Sequence, residues 1–342
     1  MKNNPPEQST LISYSSVYSY IEKLCKSSYF YVHLEPTNAC NTNCIMCPRN
    51  AMTRKPKMMT WENFEKIMTL ILPTDIPMIS IVGFGEPTLH SKLTQMLNYI
   101  RKRRKDIILK MTTNGSLLKK EYIEELYKNG LDLIEISVVG TDKESYQNTM
   151  GGLQFEQLLD TINYLNHQKY KYLLATFPTA QDSPENLYEY WTAQGVKNIE
   201  VKGFHQRGGY LDPEQKLSND SFGSYISRKQ EDKAKSRLPA DACHKLYMFL
   251  HVNVDGNFIP CVQEINNKNI LFNIENITSY DDANKIMSSA RPTFDICQGC
   301  EMKNQDLMDY YSQFLIKYFP ERIGNILARS SLSGDWTSQI YE

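Results

Sequence analysis

Short apolar runs rich in Val, Ile, Phe, Leu and Thr recur at 29–34, 79–84, 107–112, 133–138, 172–177 and 199–204, and bounded runs of this length predict buried strands. Between them the apolar positions change to helical spacing over 60–72, 89–104, 119–129, 155–167 and 184–194. Several of these segments open on Thr or Ser, whose side-chain oxygen satisfies a free N–H at a helix start. Strand and helix therefore alternate, which predicts parallel strands joined by right-handed crossovers, with the chemistry on loops at the strands' C-terminal ends. A barrel and an open doubly wound sheet both satisfy this pattern. A helix over 15–28 precedes the first strand, residues 1–12 read as frayed, and a closing helix over 304–318 carries the apolar spacing of one that packs on the body of the fold.

The alternation loses its regularity after about residue 209, and the polar stretch 212–235 reads as a passage into a second, smaller unit of this 342-residue chain. The composition, 41% hydrophobic and 23% charged, is that of an ordinary globular protein with a sizeable core. A formal net charge of −1, from 38 basic and 39 acidic residues, provides no global field for nucleic acid or anionic membrane, so neither is expected as a partner. The basic cluster 101–105 ends a predicted helix, where cations are favoured, and reads as a solvated helix terminus. No apolar run approaches the ~18 residues of a membrane span, and the opening MKNNPPEQST lacks the apolar core of a signal peptide. A cytoplasmic location follows as an expectation. In that reducing compartment the eight cysteines are expected to serve metals or catalysis rather than disulfides.

Directly after the first strand, Glu-Pro-Thr-Asn-Ala-Cys-Asn-Thr-Asn-Cys-Ile-Met-Cys-Pro-Arg places Cys40, Cys44 and Cys47 in a C-x3-C-x2-C loop. Iron–sulfur clusters normally take four cysteines, so three thiolates on a [4Fe–4S] cube leave one iron open for another ligand. A zinc site is the alternative, with His33 as a possible fourth ligand, although a residue inside the preceding strand is expected to pack or to face solvent.

With this loop, the chain resembles the radical S-adenosylmethionine (SAM) superfamily over 29–204. The resemblance implies an α/β fold, a partial (β/α)6 TIM-like barrel, in which the open iron chelates the amino and carboxylate groups of SAM. It implies that Met46 lies near the adenine, where relatives often have an aromatic residue and a polarizable thioether can also pack on the ring. Gly83-Phe84-Gly85-Glu86-Pro87 resembles the family's Gly-Gly-Glu-Pro segment, which implies that strand-edge carbonyls and Glu86 receive the SAM ammonium group. Thr112-Thr113-Asn114-Gly115 and Ser137-Val138-Val139-Gly140 resemble segments that contact the ribose and the methionine carboxylate, making Thr112, Asn114 and Ser137 candidates. Val139 stands where many relatives have Asp. Turn and cap roles are the alternative for both segments.

In the last third, Cys243-x12-Gly256-x4-Cys261 followed by Cys297-x2-Cys300 resembles the auxiliary-cluster extensions called SPASM and twitch. Asp255-Gly256 is a turn signal that predicts a hairpin bringing Cys243 and Cys261 together. Asp306 and Tyr310 stand where a full SPASM domain has two more cysteines, which implies the shorter twitch arrangement and one auxiliary [4Fe–4S] cluster closed by four thiolates. A closed cluster suits electron transfer, and a four-cysteine zinc site is the alternative. Cys25, on the N-terminal helix, reads as a buried inert thiol.

The expected organisation is an N-terminal extension at 1–28, a radical SAM barrel at 29–210, an auxiliary-cluster region at 211–320 and a tail at 321–342. The resemblance implies that flavodoxin or ferredoxin supplies an electron and that SAM yields a 5′-deoxyadenosyl radical. The leading expectation is oxidation of an alcohol of a sugar or aminocyclitol to a ketone, with the auxiliary cluster as electron acceptor. Peptide modification is second, lowered because about 39 residues precede Cys40, too few for a folded leader-peptide-binding domain. A non-enzymatic zinc-binding module is third. His205 and Arg207, just after the sixth strand, are candidates for substrate binding or deprotonation.

Overall fold

The apolar runs form strands β1 (Tyr31–Leu34), β2 (Met78–Ile81), β3 (Ile108–Thr113), β4 (Leu133–Val139), β5 (Tyr172–Phe177) and β6 (Ile199–Val201) in a computed structural model of the chain. The structure describes residues 13–179, 182–203, 243–289, 294–297, 300 and 307–329. The six strands lie side by side in chain order, all parallel, with β6 at one edge. Beyond β1 the sheet continues. Strand β7 (Phe249–Val252) pairs with β1 in parallel, Tyr31 opposite Phe249 and His33 opposite His251, and β8 (Asn257–Ile259) and β9 (Phe272–Asn273) follow antiparallel. The predicted hairpin is therefore formed. Gly256 turns it at φ +76°, where a Cβ would lie 2.8 Å from the Ile274 side chain, so this position needs glycine.

Helix α1 (Tyr14–Ser27) precedes β1, and the helices between the strands are α2 (Trp61–Ile71), α3 (Leu93–Arg103), α4 (Lys120–Lys128), α5 (Lys143–Thr149), α6 (Phe155–Asn166) and α7 (Pro184–Ala193). Ser13, Thr60, Asp142 and Ser183 cap α1, α2, α5 and α7 with side-chain oxygens. The polar helix α5 was not predicted, because KESYQNT carries little apolar periodicity and its Asp142 cap does the work. Helices Tyr280–Ser289 and Pro320–Arg329 were likewise missed.

Alternation along the strands divides the protein into two cores. Val32, Leu34, Ile79, Ile81, Leu109, Met111, Ile134 and Ile136 point to the helical layer and pack with Phe64, Ile67, Leu97, Ile123, Leu158 and Trp191. The opposite face starts with Tyr31, Met78, Ile108, Leu133, Leu173 and Phe249, which converge in one cluster with α1 and helix Leu307–Tyr318. Six strands reach the same plug, so the sheet curls around it. The next inward positions are His33, Ser80, Lys110, Glu135, Glu200 and His251, buried and polar apart from the partly exposed His33. Above them lies the rim where β1 to β4 run out into the loops carrying the candidate chemistry.

Candidate active site

The loop after β1 is built by side chains that replace regular structure. Thr37 Oγ1 donates to the Lys57 carbonyl at 2.8 Å, and Asn38 exchanges bonds with the Lys55 carbonyl and the Lys57 N–H at 3.0 and 2.7 Å. Arg49 Nη1 donates to the Thr42 carbonyl at 2.8 Å. The N–H groups of Asn43 and Ile45 bond to the carbonyls of Gly151 and Thr149, which stitches the loop to the turn after α5. Cys40, Cys44 and Cys47 are all half-buried and unpaired as disulfides. Burial pushes the Cys44 thiol up to about 11, an effect to which the neighbouring Cys47 and Cys40 add, and burial raises Cys40 as well. A metal binding here must displace protons, so its capture should strengthen as pH rises. Among the described residues no three Cys, His, Asp or Glu side chains converge at the spacing of a single ion. His33 bonds through Nδ1 to His251 Nδ1 at 2.8 Å, inside the sheet and not with the cysteines.

The segment after β2 is packed against this loop. A Cβ on Gly85 would lie 2.2 Å from the Thr37 carbonyl oxygen and one on Gly83 would lie 2.3 Å from Glu35 Cγ, so both glycines permit backbone approach that no side chain allows. Glu86 is 2% exposed. Its carboxylate accepts from Thr88 N (3.1 Å), Thr88 Oγ1 (2.5 Å), Thr113 Oγ1 (2.6 Å) and Asn114 N (2.8 Å). A carboxylate has about four lone-pair positions, and Glu86 uses them to bind the end of β3 to the turn at Pro87, itself buried. A ligand ammonium at Glu86 would have to displace one of these donors. Asn114 donates to Asn41 Oδ1 at 3.0 Å and accepts from Ser116, carrying the link on to the cysteine loop. Thr112 and Ser137 are partly exposed at the C-terminal ends of β3 and β4, and Met46 packs at the margin of the helical-side core. His205 and Arg207 lie outside the described residues, as does Asp306.

Glu35, which carried no signal in the sequence, organises the rim. Its buried carboxylate takes a two-pronged contact from Arg54 at 2.8 and 3.2 Å, and accepts from Phe84 N and Val254 N, each at 3.0 Å. One side chain thus ties the start of the cysteine loop to the glycine segment and to the hairpin turn. Arg54→Ala should cost about 3–5 kcal/mol, because it leaves a buried carboxylate without its cation. Urea unfolding of the variant measures this directly, and an unchanged midpoint would show that the clamp carries no stability.

The second group of cysteines sits next to the hairpin. Cys243 immediately precedes the short helix His244–Met248 that leads into β7, and Cys261 follows β8. Burial pushes the Cys261 thiol up to about 11, and Cys243 and Cys300 lie close enough to add to the shift while Lys245 opposes it. Cys297 and Cys300 share one turn, with Cys300 N bonded to the Cys297 carbonyl at 3.3 Å. Tyr310 is turned elsewhere, its hydroxyl on Glu200 at 3.0 and 2.9 Å.

The curled parallel sheet carries three cysteines in the loop after its first strand, and in comparison with known proteins residues 34–190, somewhat under half of the chain, match the radical SAM superfamily. Proteins of this superfamily are enzymes that use a [4Fe–4S] cluster and SAM. Over 109 residues the chain is 34% identical to the tungsten-containing aldehyde ferredoxin oxidoreductase cofactor-modifying protein of Pyrococcus furiosus, a match covering 32% of this chain and 30% of that one. The chain therefore spans less than a third of that relative's length. In fold it is similar to SuiB of Streptococcus suis bound to the precursor peptide SuiA, with a TM-score of 0.63, 17% identity and coverage of 89% of this chain and 78% of SuiB. It is also similar to BtrN in complex with AdoMet and 2-DOIA, with a TM-score of 0.50, 17% identity and coverage of 80% and 93%. Among the described residues no helix is long and apolar enough to cross a membrane.

Proposed function

We propose that this chain is a radical SAM oxidoreductase that converts an alcohol of a sugar or aminocyclitol to a ketone. In this reading Cys40, Cys44 and Cys47 hold a [4Fe–4S] cluster, and SAM lies along Gly83, Gly85, Glu86 and Pro87, with Met46, Thr112, Asn114 and Ser137 around its adenosine and carboxylate. Bound together, cluster and SAM supply a 5′-deoxyadenosyl radical on receipt of an electron from flavodoxin or ferredoxin. Region 211–320 is the auxiliary unit, with Cys243, Cys261, Cys297 and Cys300 as ligands of one further [4Fe–4S] cluster. The observation that carries the reading is the pairing of β7 with β1. It joins the strand that leads into the first cysteine loop to the hairpin flanked in the chain by Cys243 and Cys261. The barrel interior is polar, and the polar groups of the chain would orient a small hydroxylated substrate and exclude bulk water. Likeness to BtrN, whose complex contains 2-DOIA, supports a small-molecule substrate.

Peptide modification is the second reading, favoured by the likeness to peptide-bound SuiB. Metal analysis and product analysis together test the proposal. Protein purified and reconstituted without oxygen is expected to contain about eight irons with equivalent sulfide, the content of two cubes. With SAM, a reductant and candidate sugars it should form deoxyadenosine and a ketone in equal amounts. Zinc in a colourless protein, or turnover with peptides alone, would overturn the proposal.

A further inference from the structure

Past Ile259 the chain leaves the hairpin ladder and does not rejoin the sheet until Phe272, so Cys261 is placed by a loop and not by a strand. That loop is knotted on Glu264, which is fully buried. The Glu264 carboxylate accepts from the N–H groups of Asn266 (3.2 Å), Lys268 (3.1 Å) and Asn269 (3.1 Å) and from Asn269 Nδ2 (2.6 Å). Its own N–H returns to the Cys261 carbonyl at 3.0 Å. These donors occupy the lone-pair positions of the carboxylate. Asn267 follows in the left-handed region at φ +58°, which asparagine enters more readily than most side chains. Its side chain is tied to the hairpin turn, accepting from Asn253 Nδ2 at 2.6 Å and donating to Asp255 Oδ2 at 3.1 Å. The loop thus holds its shape by its own contacts.

It rests on the segment that follows the first cysteine loop. After Cys47 one tight helical turn, Pro48–Ala51, leads into Met52, Thr53 and Arg54. Asn266 grips this segment with both ends of its amide. Oδ1 accepts from Thr53 N at 2.7 Å and from Thr53 Oγ1 at 3.2 Å, and Nδ2 donates to the Ala51 carbonyl at 3.0 Å. Next to it, Arg54 Nε donates to the Ile265 carbonyl at 2.7 Å. A seam of hydrogen bonds therefore joins the chain just beyond Cys47 to the chain just beyond Cys261, although Thr53 and Asn266 are 213 residues apart.

The two halves of this seam differ in kind. Arg54 is also committed to the buried Glu35 carboxylate, so it serves the rim as a whole. Asn266 is half-buried and Thr53 is exposed, so water can take over any one of their bonds at small net cost. Water cannot reproduce the planar amide, which takes a carbonyl and an N–H of one segment together and so fixes the register of one loop on the other. Such a contact adds little stability and much geometry. The ladder of β7 with β1 ends at Val252. It holds the base of the hairpin and leaves the Cys261 loop to be placed by the seam and by the ties of Asn267.

We propose that Asn266 is a positioning residue that sets the register of the Cys261 loop on the Cys47 loop, and with it the separation of the two iron–sulfur clusters assigned above to those loops. The inference rests on the two-cluster part of the proposed function. It does not depend on which carbon the radical attacks.

The test uses the full chain reconstituted without oxygen, with both clusters reduced by dithionite and the dipolar interaction between them read by pulsed electron paramagnetic resonance. Wild type should give one narrow distance distribution. Asn266→Ala removes every side-chain bond of this residue to Ala51 and Thr53. It should keep about eight irons and its melting temperature while the distribution becomes about twofold wider, because a loop freed of its anchor samples more positions. Asn266→Asp keeps the acceptor for Thr53 but turns an oxygen on the Ala51 carbonyl, so it should widen the distribution with almost no change in volume. It decides the matter if the alanine variant fails to fold. A distribution that the folded variants leave unmoved, a melting temperature that falls while the distribution stays narrow, or two wild-type clusters without dipolar interaction overturns the inference. About four irons in wild type overturns the two-cluster reading and the inference together. If the distribution widens as expected and no alcohol yields a ketone, the seam stands and the oxidation reading fails.

Discussion

Cys44→Ala is expected to abolish deoxyadenosine formation from SAM. The loop around this residue is fixed by other contacts, with Asn43 and Ile45 bonded to Gly151 and Thr149 and Thr42 Oγ1 within 3.0 and 2.7 Å of the carbonyls of Met150 and Gly151. The substitution therefore removes one thiol and leaves the backbone where it was. Two thiolates remain, too few to retain a cube that already has an open iron. Iron bound at this loop should be lost together with the visible absorption it contributes, while the melting temperature of the metal-free protein changes little. Cys25→Ala is the control, because that thiol is unpaired, half-buried and borne on α1 away from the loop. Chromatography of the reaction mixture is the measurement, and undiminished deoxyadenosine in Cys44→Ala would remove this loop from the chemistry.

Replacing Cys297 and Cys300 together with Ala should separate SAM cleavage from oxidation. Neither residue contributes to the first cysteine loop, so reductive cleavage of SAM should persist in a folded variant. Ketone should disappear, because the substrate radical is left without a nearby acceptor and recovers hydrogen instead. Deoxyadenosine is then expected to accumulate far beyond product, and substrate recovered from deuterated buffer should carry label if the radical is quenched by an exchangeable donor. If product continues at the normal ratio, the second cysteine group is structural. If both products vanish while the first cluster is intact by iron count and spectroscopy, the acceptor role has no support.

Strand β5 was legible to the residue, since YLLATF is a bounded run of apolar and β-branched residues, and β4 was legible to within one residue at its end. Strand β2 was expected to run to 84 and stops at Ile81, because Phe84 N–H turns away from the ladder to the Glu35 carboxylate. The pairing of β7 with β1 could not be read. Periodicity reports which face a strand buries, but its neighbour is fixed by contacts between residues more than two hundred positions apart. The polar layer does leave a mark in the sequence: Lys110 and Glu135 sit at strand positions that alternation turns inward, where ionisable residues are rarely buried unless paired. Motif resemblance singled out Glu86 as a candidate SAM contact, yet gave no hint that the side chain of Thr113 and the backbone of Asn114 already hold its oxygens. Glu35 and Arg54 were invisible for a simpler reason, as an ion pair 19 residues apart belongs to no local pattern.

The place of β7 beside β1 also has a consequence for the order in which the chain is made. His33 leaves the ribosome 218 residues ahead of His251, an interval of roughly 10–40 s at translation rates of about 5–20 residues per second. Throughout it, β1 can pair with β2 on one side only, and its other edge presents free N–H and C=O groups of the kind that recruit foreign strands. That edge of β1 is thus covered only when β7 has been made, and β7 brings with it the hairpin next to the second cysteine group. Cys243 and Cys261 accordingly reach their places beside β1 only as that edge is covered.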